Sequence, residues 1–434
     1  MKAIIQFLAI TLLAVVHAEK EFCIQNPDEI NMCWISGRLS RVTSHDYVKI
    51  LTLRMQSDFT IDSCAFRFPF RYFKIIFGDG SLTKRPFVLS LLPESFSGQS
   101  ELTDLIIWNG EFNFTGQPLK HLTSLANLEW RRTSIMELPA EQLATVPTLE
   151  SLTIINNKIV TIRKDDLIGL RNLSSLNLGG SQISRLEPGC FRGLQKLRIL
   201  DLSSSKLYCL PDVFSDLKGL RKLDISYSKI RFIQPNALRG MPLLSELNLA
   251  GNQFKIIPTG AFDNLPKLGV LDLSKHRFLN VTKGIFNNMK PLKKLYLQSL
   301  TDGNIEPGAF SGLDLILLDL HGCEALQPGA LSGLVVGELK LSGWKYQQVP
   351  RGLNGLIAGT VDLSRNNIER IAIQDFAGLE TEVLNLNANK IQEISPRAFA
   401  NTTVSRIILT GNPLGNIVKT VIGLLESVEI FQGL

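Results

Sequence analysis

Between Leu244 and Leu265 the chain is apolar at Leu244, Leu247, Leu249, Phe254, Ile257, Phe262 and Leu265, with Asn252 set among them. Leu247 and Leu249 flank Asn248 with the alternation of a half-buried strand. After Asn252 the period breaks, and Pro258 and Gly260 mark a turn before the apolar return. This order of events recurs about every 24 residues. Regular units begin at Leu102, Leu125, Leu149, Leu173, Leu197, Leu220, Leu244, Leu268 and Leu292. Less regular ones begin at Val48, Tyr72, Leu315, Val336, Ala358, Thr381 and Val404, which makes sixteen. One such unit cannot bury its own leucines, whereas stacked neighbours can. The pattern predicts an α/β solenoid: a curved horseshoe whose strands form a parallel sheet on the concave face.

Several positions refine that expectation. Gly189-Cys190-Phe191, Gly260-Ala261-Phe262 and Gly308-Ala309-Phe310 end the return segments, so their phenylalanines are expected as a second apolar column inside the outer wall. Asn157, Asn252, Asn366, Asn389 and Asn412 stand at the turn, where a buried amide satisfies backbone groups of adjacent coils. Ser181, Ser205, Ser228, Leu300, Cys323 and Trp344 replace it elsewhere, with distortion expected at Leu300 and Trp344. Arg85 to Leu92 is in excess of the second unit and reads as a looped-out insertion.

The boundaries follow. Residues 1–18 have Lys2, the apolar run Ile4 to Val16 and the small-residue end Val16-His17-Ala18 of a signal peptide. Residues 19–47 form an N-terminal cap, 48–416 the repeats, and 417–434 a closing segment, expected as a helix over the apolar Ile417–Phe431 stretch or as a truncated end. No later run is long and apolar enough to span a bilayer, so the chain reads as secreted and extracellular. With 46 basic and 40 acidic residues the charge is mild and spread out, which speaks against a nucleic-acid role. In an oxidising compartment Cys23 and Cys33 are close enough for a small disulfide loop. Cys323 reads as a buried thiol; a bridge between Cys190 and Cys209, and the partner of Cys64, stay open.

Across nearly all of the mature chain these repeats resemble extracellular leucine-rich-repeat proteins. The cap residues Cys23, Pro27, Ile30 and Cys33, with Ser95-Phe96-Ser97 and Phe112-Asn113-Phe114, are similar to an arthropod group named after the non-catalytic subunit of shrimp (oplophorus-type) luciferin monooxygenase. Two departures stand out: Ile35 occupies the place of a third cap cysteine, and no cysteine follows Leu414 where that pattern continues into a cysteine-rich C-terminal cap.

No nucleophile elbow, phosphate loop or metal-ligand spacing occurs, so neither enzyme activity nor a cofactor or metal is expected. The informative residues lie between the strand leucines, where alternation turns them outward. Asn177, Asp201, Asp224, Asn248, Asp272, Tyr296 and Asp319 compose an acid-and-amide stripe able to meet a basic or hydrogen-bonding ligand. The competing reading is that Leu-Asp-Leu-Ser is common repeat wording with a solvated aspartate, blunted by Lys222 and Lys294. Ile76, Ile106 and Trp108 form an alternative apolar patch, either exposed as an interface or covered by the Arg85–Leu92 insertion. Asn113, Asn172, Asn280 and Asn401 are glycosylation acceptors. The expected function is non-enzymatic binding of an extracellular protein or glycoprotein through the concave face. The alternatives are a non-catalytic scaffold subunit of a secreted enzyme complex, as the resemblance implies, and recognition of a microbial glycan or lipid.

Overall fold

A computed structural model describes residues 22–25, 30–35, 38–44, 50–55, 58–63, 65–66, 69–77, 87–323, 326–343, 345–415 and 419–432. The signal peptide, the Pro27–Ile30 turn up to residue 29, Cys64, Gly78 to Gly80 and Trp344 fall outside them. The chain is a parallel-sheet β-solenoid of about sixteen turns, and it divides into two compact units, one of residues up to 206 with 216–220, the other of 207–215 with 221–434.

In the first unit the strands Ile50–Met55, Tyr72–Phe77, Asp104–Trp108, Asn127–Arg131, Ser151–Ile155, Ser175–Asn177 and Ile199–Asp201 pair in parallel, in that order. Their burial alternates, as in the pattern from Tyr72 to Phe77 that buries Phe73, Ile75 and Phe77. A second sheet lines the other wall. Phe22–Gln25, Ile30–Ile35 and Arg38–Ser44 are antiparallel, and Phe59–Ile61, Phe87–Leu91 and Gly110–Phe114 continue from the last of them in parallel. Cys23 stands opposite Cys33 in the first antiparallel pair. The part of the Arg85–Leu92 stretch from Phe87 on is a strand, not looped-out chain: Phe87, Leu89 and Leu91 face the core from the second sheet, while Arg85 lies outside the described residues. Short apolar runs, which periodicity alone does not assign, hid this wall from the sequence.

In the second unit ten strands pair in parallel, from Lys222–Asp224 to Glu429–Phe431. The segment expected as a closing helix is one helical turn, Lys419–Ile422, followed by a strand that adds to the sheet beside Thr403–Ile408. Among its described residues only Ile422, Leu424 and Val428 are buried, too sparse a stripe to hold a longer helix.

The interior has two apolar columns. Strand leucines such as Leu247, Leu271 and Leu295 form one, fully or almost fully buried. Phe191, Phe262 and Phe310 are buried in the returns as expected, and Phe286 stacks on Phe310 at 6.0 Å and Phe376 on Phe399 at 5.4 Å. The turn asparagines form the expected ladder. Asn252 donates from Nδ2 to the carbonyls of Ile225 and Leu249, and its Oδ1 accepts the N–H of Ser228 and Ile230. Asn157, Asn366, Asn389 and Asn412 repeat this scheme. Cys323 substitutes with a thiol donating to the Leu297 carbonyl at 2.8 Å. Among the described residues Cys190, Cys209 and Cys323 form no disulfide, so the Cys190–Cys209 bridge is not made.

Candidate functional site

Each strand places its outward residue by the ladder register. In the second unit the row Asp224, Asn248, Asp272, Tyr296, Asp319, Lys340, Asp362, Asn385, Ile408, Phe431 runs unbroken across ten strands. Two residues earlier on each strand a parallel row passes through Lys222, Glu246, Val270, Lys294 and Leu317. In the first unit Asn177 and Asp201 are level with each other and with Thr153.

Most of these side chains perform a local task that sequence did not reveal. The Oδ1 of Asp224 accepts the Ser226 N–H at 2.9 Å, that of Asn248 the Ala250 N–H at 3.0 Å, and that of Asp272 the Ser274 N–H at 2.9 Å. Asn177, Asp201, Asp319, Asp362 and Asn385 do the same two residues on. Each is an Asx turn that satisfies an amide where the strand ends. The second oxygen differs from coil to coil. In Asp224 it accepts Asn248 Nδ2 at 2.9 Å, and in Asp319 it accepts Gln298 Nε2 at 2.7 Å. The outer oxygen of Asp272 has no protein donor among the described residues. Next to it stands Tyr296, half-buried, the single aromatic of the predicted stripe.

The patch predicted around Trp108 is not apolar. Lys74 Nζ lies 3.4 Å from the Trp108 ring centroid, the indole N–H donates to Glu129 Oε1 at 2.6 Å, and Arg131 pairs with the same carboxylate. The register also differs from expectation: Lys74, not Ile76, is level with Ile106 and Glu129, while Ile76 is level with Trp108 and Arg131. Burial, with Asp104 and Glu129 nearby, raises the Tyr72 phenol above its usual range.

The sequence places His276 in or near the turn of its unit, as a turn or surface histidine rather than a metal ligand. A 24-residue step from Asn252 lands on it, so it occupies the ladder position of its coil. It is fully buried, its Nδ1 lies 2.9 Å from the Leu273 carbonyl, and its ring packs on Phe254 at 4.1 Å. Its Nε2 has no partner, and burial lowers its pKa to about 4.

At the start of the first unit's strands an open depression of about 610 Å³ is lined by Thr148, Glu150, Asn172, Ser174, Lys196 and Arg198. Lys196 donates to Asn172 Oδ1 at 2.8 Å, and Asn172 Nδ2 donates to the Pro147 carbonyl. Of the other glycosylation acceptors, Asn113 and Asn401 are exposed and Asn280 is half-buried. Among the described residues no three His, Cys, Asp or Glu side chains converge as metal ligands, and no helix is long and apolar enough to cross a membrane.

Coils with strand leucines, a turn asparagine ladder and a buried phenylalanine column define a repeat protein of the leucine-rich class. The leucine-rich-repeat family model matches residues 123–183, 147–207, 171–230 and 218–275. Residues 123–275 thus match leucine-rich repeats, and the chain has homologues among secreted leucine-rich-repeat proteins. Mouse Tsukushi is 36% identical over 121 residues, 27% of this chain and 33% of its own length. Mouse Podocan-like protein 1 is 31% identical over 100 residues, 23% of this chain and 18% of its own. The chain thus spans a third or less of the curated relatives' length. A chain of the Drosophila Toll–Spatzle complex superposes with a TM-score of 0.57 at 16% identity, over 92% of this chain and 55% of that one. A leucine-rich-repeat protein of Leptospira interrogans gives 0.53 at 23%, over 79% and 89%. At those identities the likeness is one of fold.

Proposed function

We propose that this chain is an extracellular, non-enzymatic binding protein that engages a protein or glycoprotein through the outward face of its long sheet. Leucine-rich-repeat solenoids typically mediate protein binding, and a rigid ladder presents a surface that loses little entropy on association. The observation that carries the reading is the neighbourhood of Tyr296. A half-buried aromatic ring is level with the free outer oxygen of Asp272 on one side and with Asp319 on the other. Buried interface anchors are enriched in tyrosine, and a charge beside one adds specificity. Asp224 and Asn248 extend the same face; Asn177 and Asp201 belong to the face of the first unit.

The test is capture from extracellular fluid by the immobilised protein, read by mass spectrometry. Tyr296→Ala and Asp272→Lys are expected to reduce capture of the specific partner at least tenfold, Asp272→Lys also losing the Asx bond to Ser274 at about 1–2 kcal/mol of stability. Asp272→Asn keeps the Asx turn and removes only the charge, so it separates folding from recognition. Equal capture by all three variants would refute the sheet face as the site.

A further inference from the structure

A second surface lies in the second unit, on the descending flank after the turn rather than on the sheet. Tyr208 is 55% exposed, Phe232 45%, Ile256 63% and Phe278 43%. Single exposed apolar side chains are ordinary; four on consecutive coils, each within two residues of the same register position, line one flank. The geometry ties them together. Tyr208 and Phe232 pack edge to face at 5.1 Å, on coils whose backbones pair at Cys209 and Phe232. Arg231 reaches Gln253 of the next coil at 3.4 Å, and the Gln253 N–H bonds the Ile230 carbonyl. Ile256 bridges Asn280, two residues beyond Phe278.

Cations stand over two of the three rings. Arg231 is 5.3 Å from the Tyr208 centroid, and Lys255 and Arg277 are 5.3 and 5.0 Å from that of Phe278. Arg277 is tied to Asp302 at 3.1 Å. Arg231 and Lys255 have no carboxylate partner among the described residues. The patch therefore combines apolar area with two uncompensated positive charges, and its complement is apolar and acidic.

The length of the patch limits the occupant. Parallel coils repeat at about 4.8 Å, so three steps cover about 15 Å, the span of about five extended residues. The faces of Tyr208 and Phe278 already covered by cations offer no platform for stacking bases, and Phe232 alone makes no stacking track, which disfavours a nucleic-acid strand. We propose that this flank binds a short extended polypeptide segment that alternates acidic and apolar side chains, separately from the sheet face.

The test uses a fluorescently labelled peptide alternating glutamate with leucine and phenylalanine, with its lysine-for-glutamate counterpart and an oligothymidylate as comparators. N-glycans are removed first, because Asn280 is an acceptor at one end of the patch. The acidic peptide is expected to bind saturably, and the lysine peptide and the oligonucleotide not to. Arg231→Glu with Lys255→Glu is expected to weaken binding at least tenfold, as is Phe232→Ser with Ile256→Ser, while Lys390→Glu elsewhere in the unit leaves it unchanged. Absence of saturable binding, equal binding of the lysine peptide, preference for the oligonucleotide, or insensitivity to both double variants would each overturn the proposal.

Discussion

His276 gives the sharpest test of the ladder. Replacing it by asparagine restores the residue that the ladder uses at Asn252, and it removes a buried imidazole. The folded protein holds the ring neutral down to about pH 4 because burial disfavours the charged form. In the unfolded chain the ring takes up a proton near pH 6.5. The contribution of His276 to stability is therefore complete above that value and is lost as pH falls from there towards about 4. Linkage puts the loss at about 2 kcal/mol by pH 5 and about 3 kcal/mol by pH 4, on the order of one factor of ten per pH unit. Urea unfolding of the wild type and of His276→Asn at pH 7.5 and at pH 5 isolates this residue, since every other titrating group is common to both proteins. The wild type is expected to lose about 2 kcal/mol more than the variant between the two conditions. A direct check is the imidazole titration by proton NMR, with a midpoint well below 5. Equal pH dependence of the two proteins, or a midpoint near 6.5, would refute the assignment of a neutral ring sealed in the ladder.

Other expectations follow from the same contacts. Asn366→Ala removes donors from the Leu341 and Leu363 carbonyls inside the solenoid and should cost about 2–4 kcal/mol in urea unfolding. Asp362→Val leaves the Ser364 N–H without its Asx partner and should cost about 1–2 kcal/mol, whereas Asp362→Asn should be nearly neutral. Burial pushes the Cys190 thiol up to about 12, so peptide mapping after alkylation of the native protein at pH 8 should find Cys190 unmodified and the half-buried Cys209 labelled. Intact-mass analysis before and after glycan removal should show carbohydrate at the exposed Asn113 and Asn401, with lower occupancy at the half-buried Asn280.

The solenoid was legible because its period is written in leucines: the strand pair Leu247 and Leu249 and the amide of Asn252 recur with too little variation to be read otherwise. Two kinds of feature were not. The second sheet of the first unit rests on runs of three to seven residues, such as Phe59–Ile61 and Phe87–Leu91, too short for periodicity alone to separate strand from loop. The outward aspartates carry no mark in sequence of where their oxygens point. Leu-Asp-Leu-Ser reads equally as a solvated charge, a ligand contact or a turn, and only the 2.9 Å bond from Asp224 to the amide two residues on decides for the last. His276 falls in or near the turn of its unit in the sequence, and the 24-residue step from Asn252 is the signal that marks it as a ladder residue. At Trp108 the spacing suggested hydrophobic surface, but the cation over its ring comes from a neighbouring strand that sequence separates by 34 residues from the indole.

The Asx turns bear on how such a surface can diversify. Neutral Asn248 and charged Asp272 close adjacent strands with equivalent bonds, 3.0 and 2.9 Å. An amide and a carboxylate are therefore interchangeable to the scaffold, although they differ by a full unit to anything that approaches it. The electrostatic potential of the sheet can drift by single-residue exchanges without disturbing the coil beneath, which leaves selection on binding decoupled from selection on folding.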